Sequence, residues 1–156
     1  MKRKWNSYDE MVAAQKRPRN RPRHIESDIQ IECVRFFRIA YPKYLIFSVP
    51  NGGSRSAKEA AILSAEGVLP GVSDLIVVAE GNILFIEMKA PKGRQSRYQR
   101  AFQNMVERLG FEYRICHSVM EFIETVKSWF NEIKDEQEKG QIRDAERMGM
   151  EPGRPG

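Results

Sequence analysis

Hydrophobic residues between about positions 26 and 130 follow two different spacings. In several stretches an apolar side chain returns every three or four residues, which predicts amphipathic helices. Three of these stretches open with a capping box, a serine followed three positions later by Glu or Gln. The predicted helices span about 26–40, 56–67 ending at Gly67, 96–110 ending at Gly110, and 118–130.

Shorter apolar runs separate these helices and predict strands at about 44–49, 75–79, 83–86 and 111–116. Only Glu80, Gly81 and Asn82 join the two middle runs, which predicts a β-hairpin. Both runs are almost continuously apolar, as is typical of central strands covered on both faces. The order α-β-α-β-β-α-β-α predicts an α/β fold, with a mixed central sheet flanked by helices.

Charge divides the 156 residues into three parts. Residues 1–24 carry eight Lys or Arg against two acids and have little apolar periodicity, so we expect a basic flexible arm. Residues 25–130 form the predicted domain. Residues 131–156 carry five basic and seven acidic residues and form a charged tail, either helical or disordered. The net charge of +5 comes mostly from the arm, which is either a solvated leader or a contact for phosphates.

Composition excludes several classes of protein. The chain is 41% hydrophobic, enough for a sizeable core. No apolar run approaches the roughly 20 residues that cross a membrane, and the N-terminus lacks the apolar segment of a secretory signal. Its two cysteines, Cys33 and Cys116, form no Cys-x-x-Cys pair. We therefore expect a reduced, cytoplasmic setting without a membrane partner, with both thiols in the core.

Charged residues at one end of the predicted hairpin are the strongest candidates for chemistry. Glu87 and Lys89 alternate with Met88, so both project from one face of their strand. Asp74 precedes the partner strand, and strand pairing would bring its carboxylate beside that of Glu87. Two carboxylates that lie side by side repel each other unless a cation lies between them. Mg²⁺ and Mn²⁺ prefer such oxygen ligands.

These residue types together predict hydrolysis of phosphodiester bonds. Lys89 beside a bound metal can orient the attacking water or offset charge on phosphorus. A structural pair, with Lys89 bridging both acids, is the alternative. Glu26 adds a third acid because it falls in the apolar stripe of the first helix, where a charge needs a reason. We prefer it to Glu32, although a capping box at Ser27 would place Glu26 just before the helix.

Basic residues follow Lys89 without an intervening acid. They are Lys92, Arg94, Arg97 and Arg100. Together with backbone amides near Gly93 and at the helix start, they are candidates for gripping phosphates. The alternative is a solvated loop and helix face. Asn51 and Arg55 bound a glycine-rich loop that also suits a close approach to nucleic acid, although by itself it is an ordinary turn.

Five short motifs then occur in one order along the chain: Glu26-Ser27-Asp28-Ile29-Gln30, Pro50-Asn51-Gly52-Gly53, Gly71-Val72-Ser73-Asp74-Leu75, Glu87-Met88-Lys89 and Gly93-Arg94-x-Ser96-x-x-Gln99. In this register they resemble the VRR-NUC branch of the PD-(D/E)XK nuclease superfamily, of the stand-alone bacteriophage type. The resemblance covers about residues 24–130, and no single motif is specific. One departure is Ser73, where the superfamily name has proline.

The resemblance implies a restriction-endonuclease-like core, dependence on Mg²⁺ or Mn²⁺, and cleavage of DNA. Stand-alone members are associated with branched DNA such as Holliday junctions and act as homodimers, in the host cytoplasm if phage-encoded. By position the implied site residues are the metal ligands Glu26, Asp74, Glu87 and the Met88 carbonyl, with Lys89 and Gln99 as further catalytic residues. Gln99 has a competing role as the capping-box partner of Ser96.

Three functions remain as hypotheses. The leading one is a structure-selective DNA endonuclease. The second is a non-catalytic nucleic-acid-binding module that keeps the fold, which the presence of all three acids and the lysine disfavours. The third is a sequence-specific restriction-type nuclease, for which the chain is short and offers no separate recognition domain.

Overall fold

A four-stranded sheet with helices against both faces forms the structure, a computed structural model that describes residues 25–50 and 56–148. The elements are α1 (Ile25–Ala40), β1 (Leu45–Ser48), α2 (Ala57–Ala65), β2 (Leu75–Ala79), β3 (Asn82–Met88), α3 (Arg97–Arg108), β4 (Glu112–Cys116) and α4 (Val119–Arg147). This confirms the predicted α/β fold and its order of elements.

The sheet has the strand order β1-β2-β3-β4. Its first three strands are antiparallel neighbours, and β4 runs parallel to β3 after the crossover through α3. The mixed sheet is therefore confirmed, with the predicted hairpin at its centre. In the register of the hairpin, Leu75 lies opposite Ile86, and on the other side of β3, Met88 lies opposite Cys116.

The hairpin turn is one residue shorter than the sequence predicts. Asn82 already pairs with Ala79, which leaves Glu80 and Gly81 as the two turn residues. Both have positive φ, 40° and 81°, as a type I′ turn requires. The Asn82 side-chain amide donates to the Glu80 carbonyl at 3.1 Å, which stabilises the left-handed backbone of a residue that is not glycine.

The hydrophobic core lies between the sheet and the two longest helices, α1 and α4. Its largest fully buried side chains include Phe37 of α1, Ile46 of β1, Leu75 of β2, Ile86 of β3 and Phe122 of α4. Cys33 and Cys116 are buried there as free thiols, as expected. Among the described helices, none is long and apolar enough to cross a membrane.

The opposite face of the sheet is covered by α3, which lies over β3 and β4. Phe102 of α3 meets Phe85 of β3 edge to face, with ring centroids 5.6 Å apart. On this face Ile76 and Val78 of β2 are half-buried, as are Ile83 and Phe85 of β3. The expectation that both hairpin strands are covered on both faces is therefore met only in part, since one 12-residue helix spans only part of the sheet.

The helix starts follow the predicted caps with two differences. Ser56 and Ser96 form complete capping boxes with Glu59 and Gln99. Ser118 accepts from the backbone of Glu121, but the Glu121 carboxylate accepts from the backbone of His117 instead of closing the box. Because α1 already begins at Ile25, Ser27 lies inside the helix and is not its cap.

The last helix continues well beyond its predicted end at residue 130. It runs to Arg147, although its last buried side chain is Ile133. From 134 onward the sequence is rich in Glu, Lys, Gln and Arg, which favour the helix without needing to be buried. The buried part of α4 therefore ends well before the helix itself does. The charged tail is helical as far as Arg147.

Candidate functional site

The charged end of the hairpin is held together by backbone and side-chain hydrogen bonds of Asp74. Continued by one position, the β2–β3 register places Asp74 opposite Glu87. Its Oδ2 accepts the Met88 N–H at 2.8 Å, and its backbone carbonyl accepts the Val49 N–H at 3.1 Å. Asp74 thus fixes the position where β1, β2 and β3 meet.

Glu87 is completely buried, and among the described residues polar side chains hydrogen-bond to its carboxyl group. Lys89 Nζ donates to Oε1 at 2.7 Å, and the Gln99 side-chain amide donates to the same oxygen. The Tyr113 hydroxyl donates to Oε2 at 3.2 Å. Since a buried carboxyl group is costly without partners, this set of donors explains why Glu87 is tolerated inside the fold.

Burial raises the pKa of Glu87 to about 7, with the negative charge of Asp74 acting in the same direction and Lys89 opposing it. Burial also raises the pKa of Asp74, against the hydrogen bond from Met88. The negative charges of the two carboxyl groups therefore disfavour each other, and a cation bound between them would relieve this repulsion. Carboxylate oxygens are the donors that a hard divalent cation prefers.

Lys89 lies in the same buried environment, with only 9% of its surface exposed. Its backbone N–H donates to the Cys116 carbonyl at 2.9 Å, which fixes the end of β3 against β4. The ammonium group is paired with Glu87, as strand alternation predicts for residues two apart.

Glu26 reaches this end of the sheet from the first turn of α1. Its Oε1 accepts the Ala90 N–H at 3.0 Å, and its charge contributes to the raised pKa of Asp74. The Glu32 carboxylate instead lies near Arg35, with 3.8 Å between its Oε2 and a guanidinium nitrogen. Within residues 25–50 and 56–148, no three His, Cys, Asp or Glu side chains converge closely enough to form a metal-binding group. The carboxyl groups of Asp74 and Glu87 form a close pair. The Glu26 carboxyl group instead hydrogen-bonds to the backbone of Ala90, the residue after Lys89.

Gln99 makes both of the contacts that the sequence places in competition. Its Oε1 accepts the Ser96 N–H at 2.8 Å and closes the capping box of α3. Its Nε2 donates to Glu87. The two roles are compatible because an amide has an acceptor and a donor end.

Gly71 brings the loop before β2 against the first turn of α3. Its φ is +83°, and a Cβ there would lie 2.7 Å from the Gln99 nitrogen and closer still to the Tyr98 carbonyl group. Glycine therefore permits both the left-handed backbone and the close approach. This contact holds the turn that carries Gln99.

The predicted phosphate contacts lie around the same helix start. Lys92 and Arg94 belong to the loop before α3, where Lys92 is exposed. The Arg97 guanidinium donates to the Tyr98 hydroxyl at 2.8 Å, and Arg100 donates to the Gln95 carbonyl at 2.9 Å. The other two predicted contacts, Asn51 and Arg55, lie outside the described residues.

Tyr113 is the site residue that sequence reasoning missed. It is 3% exposed and lies opposite Phe85 in the parallel register, diagonal to Glu87 on the same face. Burial, followed by the charge of Glu87, raises the pKa of its hydroxyl, which stays protonated and able to donate. In the sequence it looks like an ordinary core aromatic, and only the β3–β4 register would have paired it with Glu87.

Comparison with known protein families identifies the family of this chain. The model of the VRR-NUC domain matches residues 19–120, about two thirds of the chain. The chain belongs to the VRR-NUC domain family. The matched segment contains every predicted site residue and Tyr113, and the fold of this VRR-NUC domain is of the nuclease type. A search of curated proteins finds no match.

Two solved structures share this fold. A "VRR_NUC domain protein" is 20% identical with a TM-score of 0.56, covering 70% of this chain and 91% of that one. A second structure, titled "VRR_NUC domain", is 18% identical with a TM-score of 0.50, covering 67% of this chain and 97% of that one. These similarities support the restriction-endonuclease-like core of the VRR-NUC domain.

Proposed function

We propose that this protein is a metal-dependent DNA endonuclease that hydrolyses phosphodiester bonds. The observation that carries the proposal is the pair of carboxyl groups formed by half-buried Asp74 and fully buried Glu87, with Lys89 bonded to Glu87, in a nuclease-type fold. A purely structural ion pair would need one carboxyl group, whereas here two lie together beside one ammonium group. Placing a buried carboxyl group next to a second one is costly and is typical of functional sites.

Mg²⁺ or Mn²⁺ is the proposed cofactor. Asp74, Glu87 and the Met88 carbonyl would hold it, with Glu26 contributing directly or through water. A divalent ion at these oxygens would polarise the phosphate and lower the pKa of a bound water. Lys89 offsets negative charge that develops at phosphorus, and Gln99 keeps the Glu87 carboxyl group in place.

The proposed substrate is DNA, with branched structures such as Holliday junctions as the preferred form. Lys92, Arg94, Arg97 and Arg100 surround the start of α3 and would contact phosphates next to the cleaved bond. We further propose that the protein is of the stand-alone bacteriophage type and acts in the cytoplasm as a homodimer, because a symmetric junction requires two nicks related by a two-fold axis.

Cleavage assays test this function directly. The protein is incubated with linear duplex, single-stranded, flap and four-way-junction DNA, each with Mg²⁺, Mn²⁺ or EDTA. We expect metal-dependent cleavage that is fastest on a branched substrate. Binding without cleavage in either metal would instead identify a non-catalytic nucleic-acid-binding module, and cleavage confined to one duplex sequence would indicate a restriction-type enzyme.

Replacing Lys89 with alanine tests the site itself. We expect Lys89→Ala to lower kcat by at least about 100-fold, the usual effect of removing one group that stabilises transition-state charge. DNA affinity should change little, because the ammonium is buried against Glu87 and is not on the exposed basic surface. Single-turnover cleavage and fluorescence anisotropy measure the two quantities.

The matched control is Lys127→Ala, which removes an exposed lysine from α4. It should leave cleavage unchanged, and circular dichroism establishes that both variants are folded. A folded Lys89→Ala variant with wild-type kcat would show that the chemistry occurs elsewhere.

A further inference from the structure

The two oxygens of Glu87 are held from different directions. Oε1 receives two donors, Lys89 and Gln99. Oε2 receives the Tyr113 hydroxyl from β4, the strand that pairs with β3 in parallel. The terminal torsion of a glutamate is broad and roughly two-fold, so donors on one oxygen alone leave the carboxyl plane free to swing. Donors on both oxygens fix it.

The Tyr113 hydroxyl is itself held by a chain of side chains that runs along α3. Gln95 hydrogen-bonds to it. The Gln95 amide also donates to Gln103 at 2.8 Å, and Gln103 donates to Glu107 at 2.8 Å. The hydroxyl is therefore anchored to the helix as well as to Glu87.

Packing alone does not require this hydroxyl. The ring of Tyr113 meets Phe102 edge to face with centroids 6.3 Å apart, a contact that phenylalanine would make equally well. A buried hydroxyl costs free energy unless it is paired, and this one is paired with the carboxyl group that Asp74 also contacts. The presence of the Tyr113 hydroxyl is therefore explained by its hydrogen bond to Glu87 and not by packing in the core.

We propose that Tyr113 is a positioning residue that fixes the Glu87 carboxyl plane relative to Asp74 and thereby sets the affinity of the site for its divalent cation. This inference rests on the proposed function. Residues that hydrogen-bond to a ligating carboxylate orient it, and their removal costs roughly 10- to 100-fold in metal affinity or activity. Gln95 acts one step further out, by holding the hydroxyl.

The test compares Tyr113→Phe with the wild type in the full chain. Mn²⁺ binding is measured by electron paramagnetic resonance of the free ion, and cleavage is measured as a function of Mn²⁺ concentration. We expect the Mn²⁺ dissociation constant to rise about tenfold in Tyr113→Phe, with kcat at saturating Mn²⁺ within about threefold of the wild type. Gln95→Leu should weaken Mn²⁺ binding in the same direction by a smaller factor.

Tyr44→Phe is the matched control. Tyr44 donates to Glu80 at 3.2 Å, the same length as the Tyr113–Glu87 hydrogen bond, but at the turn end of the hairpin. Tyr44→Phe should leave the Mn²⁺ dissociation constant unchanged. This result would show that the effect comes from losing the Tyr113–Glu87 hydrogen bond in particular, and not from losing a Tyr–Glu hydrogen bond in general.

Three results would overturn the inference, and they differ from one another. A wild type that binds Mn²⁺ and cleaves DNA, with Tyr113→Phe and Gln95→Leu matching its Mn²⁺ affinity, removes the role of Tyr113 and leaves the proposed function standing. A wild type that neither binds Mn²⁺ nor cleaves DNA removes both. A fall in kcat without a change in Mn²⁺ affinity also contradicts the inference, because the hydroxyl would then act on the chemical step and not on the affinity for the cation.

Discussion

At the scale of single residues, Glu87 links the stability of the fold to pH. Its pKa in the folded protein is about 7, against an ordinary value of 4.5. Between these values the unfolded chain releases a proton that the folded chain keeps. The free energy of unfolding of the metal-free protein therefore falls as the pH rises from 4.5 to 7, and levels off above that window.

Glu87→Gln removes this titration and keeps the size of the side chain. In EDTA, we expect the Tm of the wild type to fall relative to that of Glu87→Gln between about pH 4.5 and pH 7. Adding Mg²⁺ above pH 7 should raise the Tm of the wild type more than that of the variant, because a bound cation would offset the charge of the ionised Glu87 carboxylate. Thermal melts across this pH range provide the measurement, and parallel Tm curves for the two proteins would contradict the assignment.

Sequence reasoning could find Asp74, Glu87 and Lys89 because hairpin pairing and strand alternation are short-range rules. The turn residues fix the register of β2 and β3, and the register brings the charges together. Tyr113 could not be found in this way. Its contact with Glu87 depends on a parallel pairing across a helix, and the sequence contains no local signal for that register.

At the scale of elements, the first turn of α3 joins the site to the loop before β2. Its capping box includes Gln99, and its backbone lies against Gly71. A displacement of this turn would carry Gln99 away from Glu87 even if every other element stayed in place. The stability of the helix start and the geometry of the site are therefore linked.

Gly71→Ala tests that link. The new Cβ would meet the Tyr98 and Gln99 backbone, so we expect stability to fall by about 1–3 kcal/mol beyond the strain of the left-handed backbone. Cleavage should fall as Gln99 moves away from Glu87. Urea denaturation and single-turnover kinetics measure the two effects.

Gly67→Ala is the control for backbone strain. Gly67 has a φ of +97° and open space where a Cβ would be, so it has the same unfavourable conformation without the clash. It should cost about 1 kcal/mol and leave kcat unchanged. Equal effects of the two substitutions on stability and cleavage would show that the packing of Gly71 against α3 is unimportant.

The helices were predictable where local chemistry defines them. The boxes at Ser56 and Ser96 span four residues each and could be identified directly. The incomplete coverage of β2 could not, because an apolar strand has the same composition whether its second face meets a helix or solvent. The end of α4 was also hidden, since its exposed half lacks the apolar spacing that the prediction used.

At the scale of the whole molecule, the basic arm accounts for the net positive charge, because residues 1–24 carry eight Lys or Arg against two acids while the chain as a whole has a net charge of +5. Deleting residues 1–23 should weaken DNA binding and flatten its dependence on salt, by roughly one unit of slope for each phosphate that the arm neutralises. Anisotropy titrations across a series of KCl concentrations provide the measurement. Removing 149–156, which has no net charge, is the control. If deleting residues 1–23 left the salt dependence of DNA binding unchanged, the arm would not contact DNA phosphates.

The turn of α3 that carries Gln99 has one more consequence, which concerns heat. Helix ends open at lower free energies than buried strands do. When the capping box of Ser96 opens, Gln99 leaves Glu87 while the sheet beneath is still intact. We therefore expect cleavage to be lost on heating at a lower temperature than the one at which the domain melts, because fraying of this single helical turn removes Gln99 from Glu87.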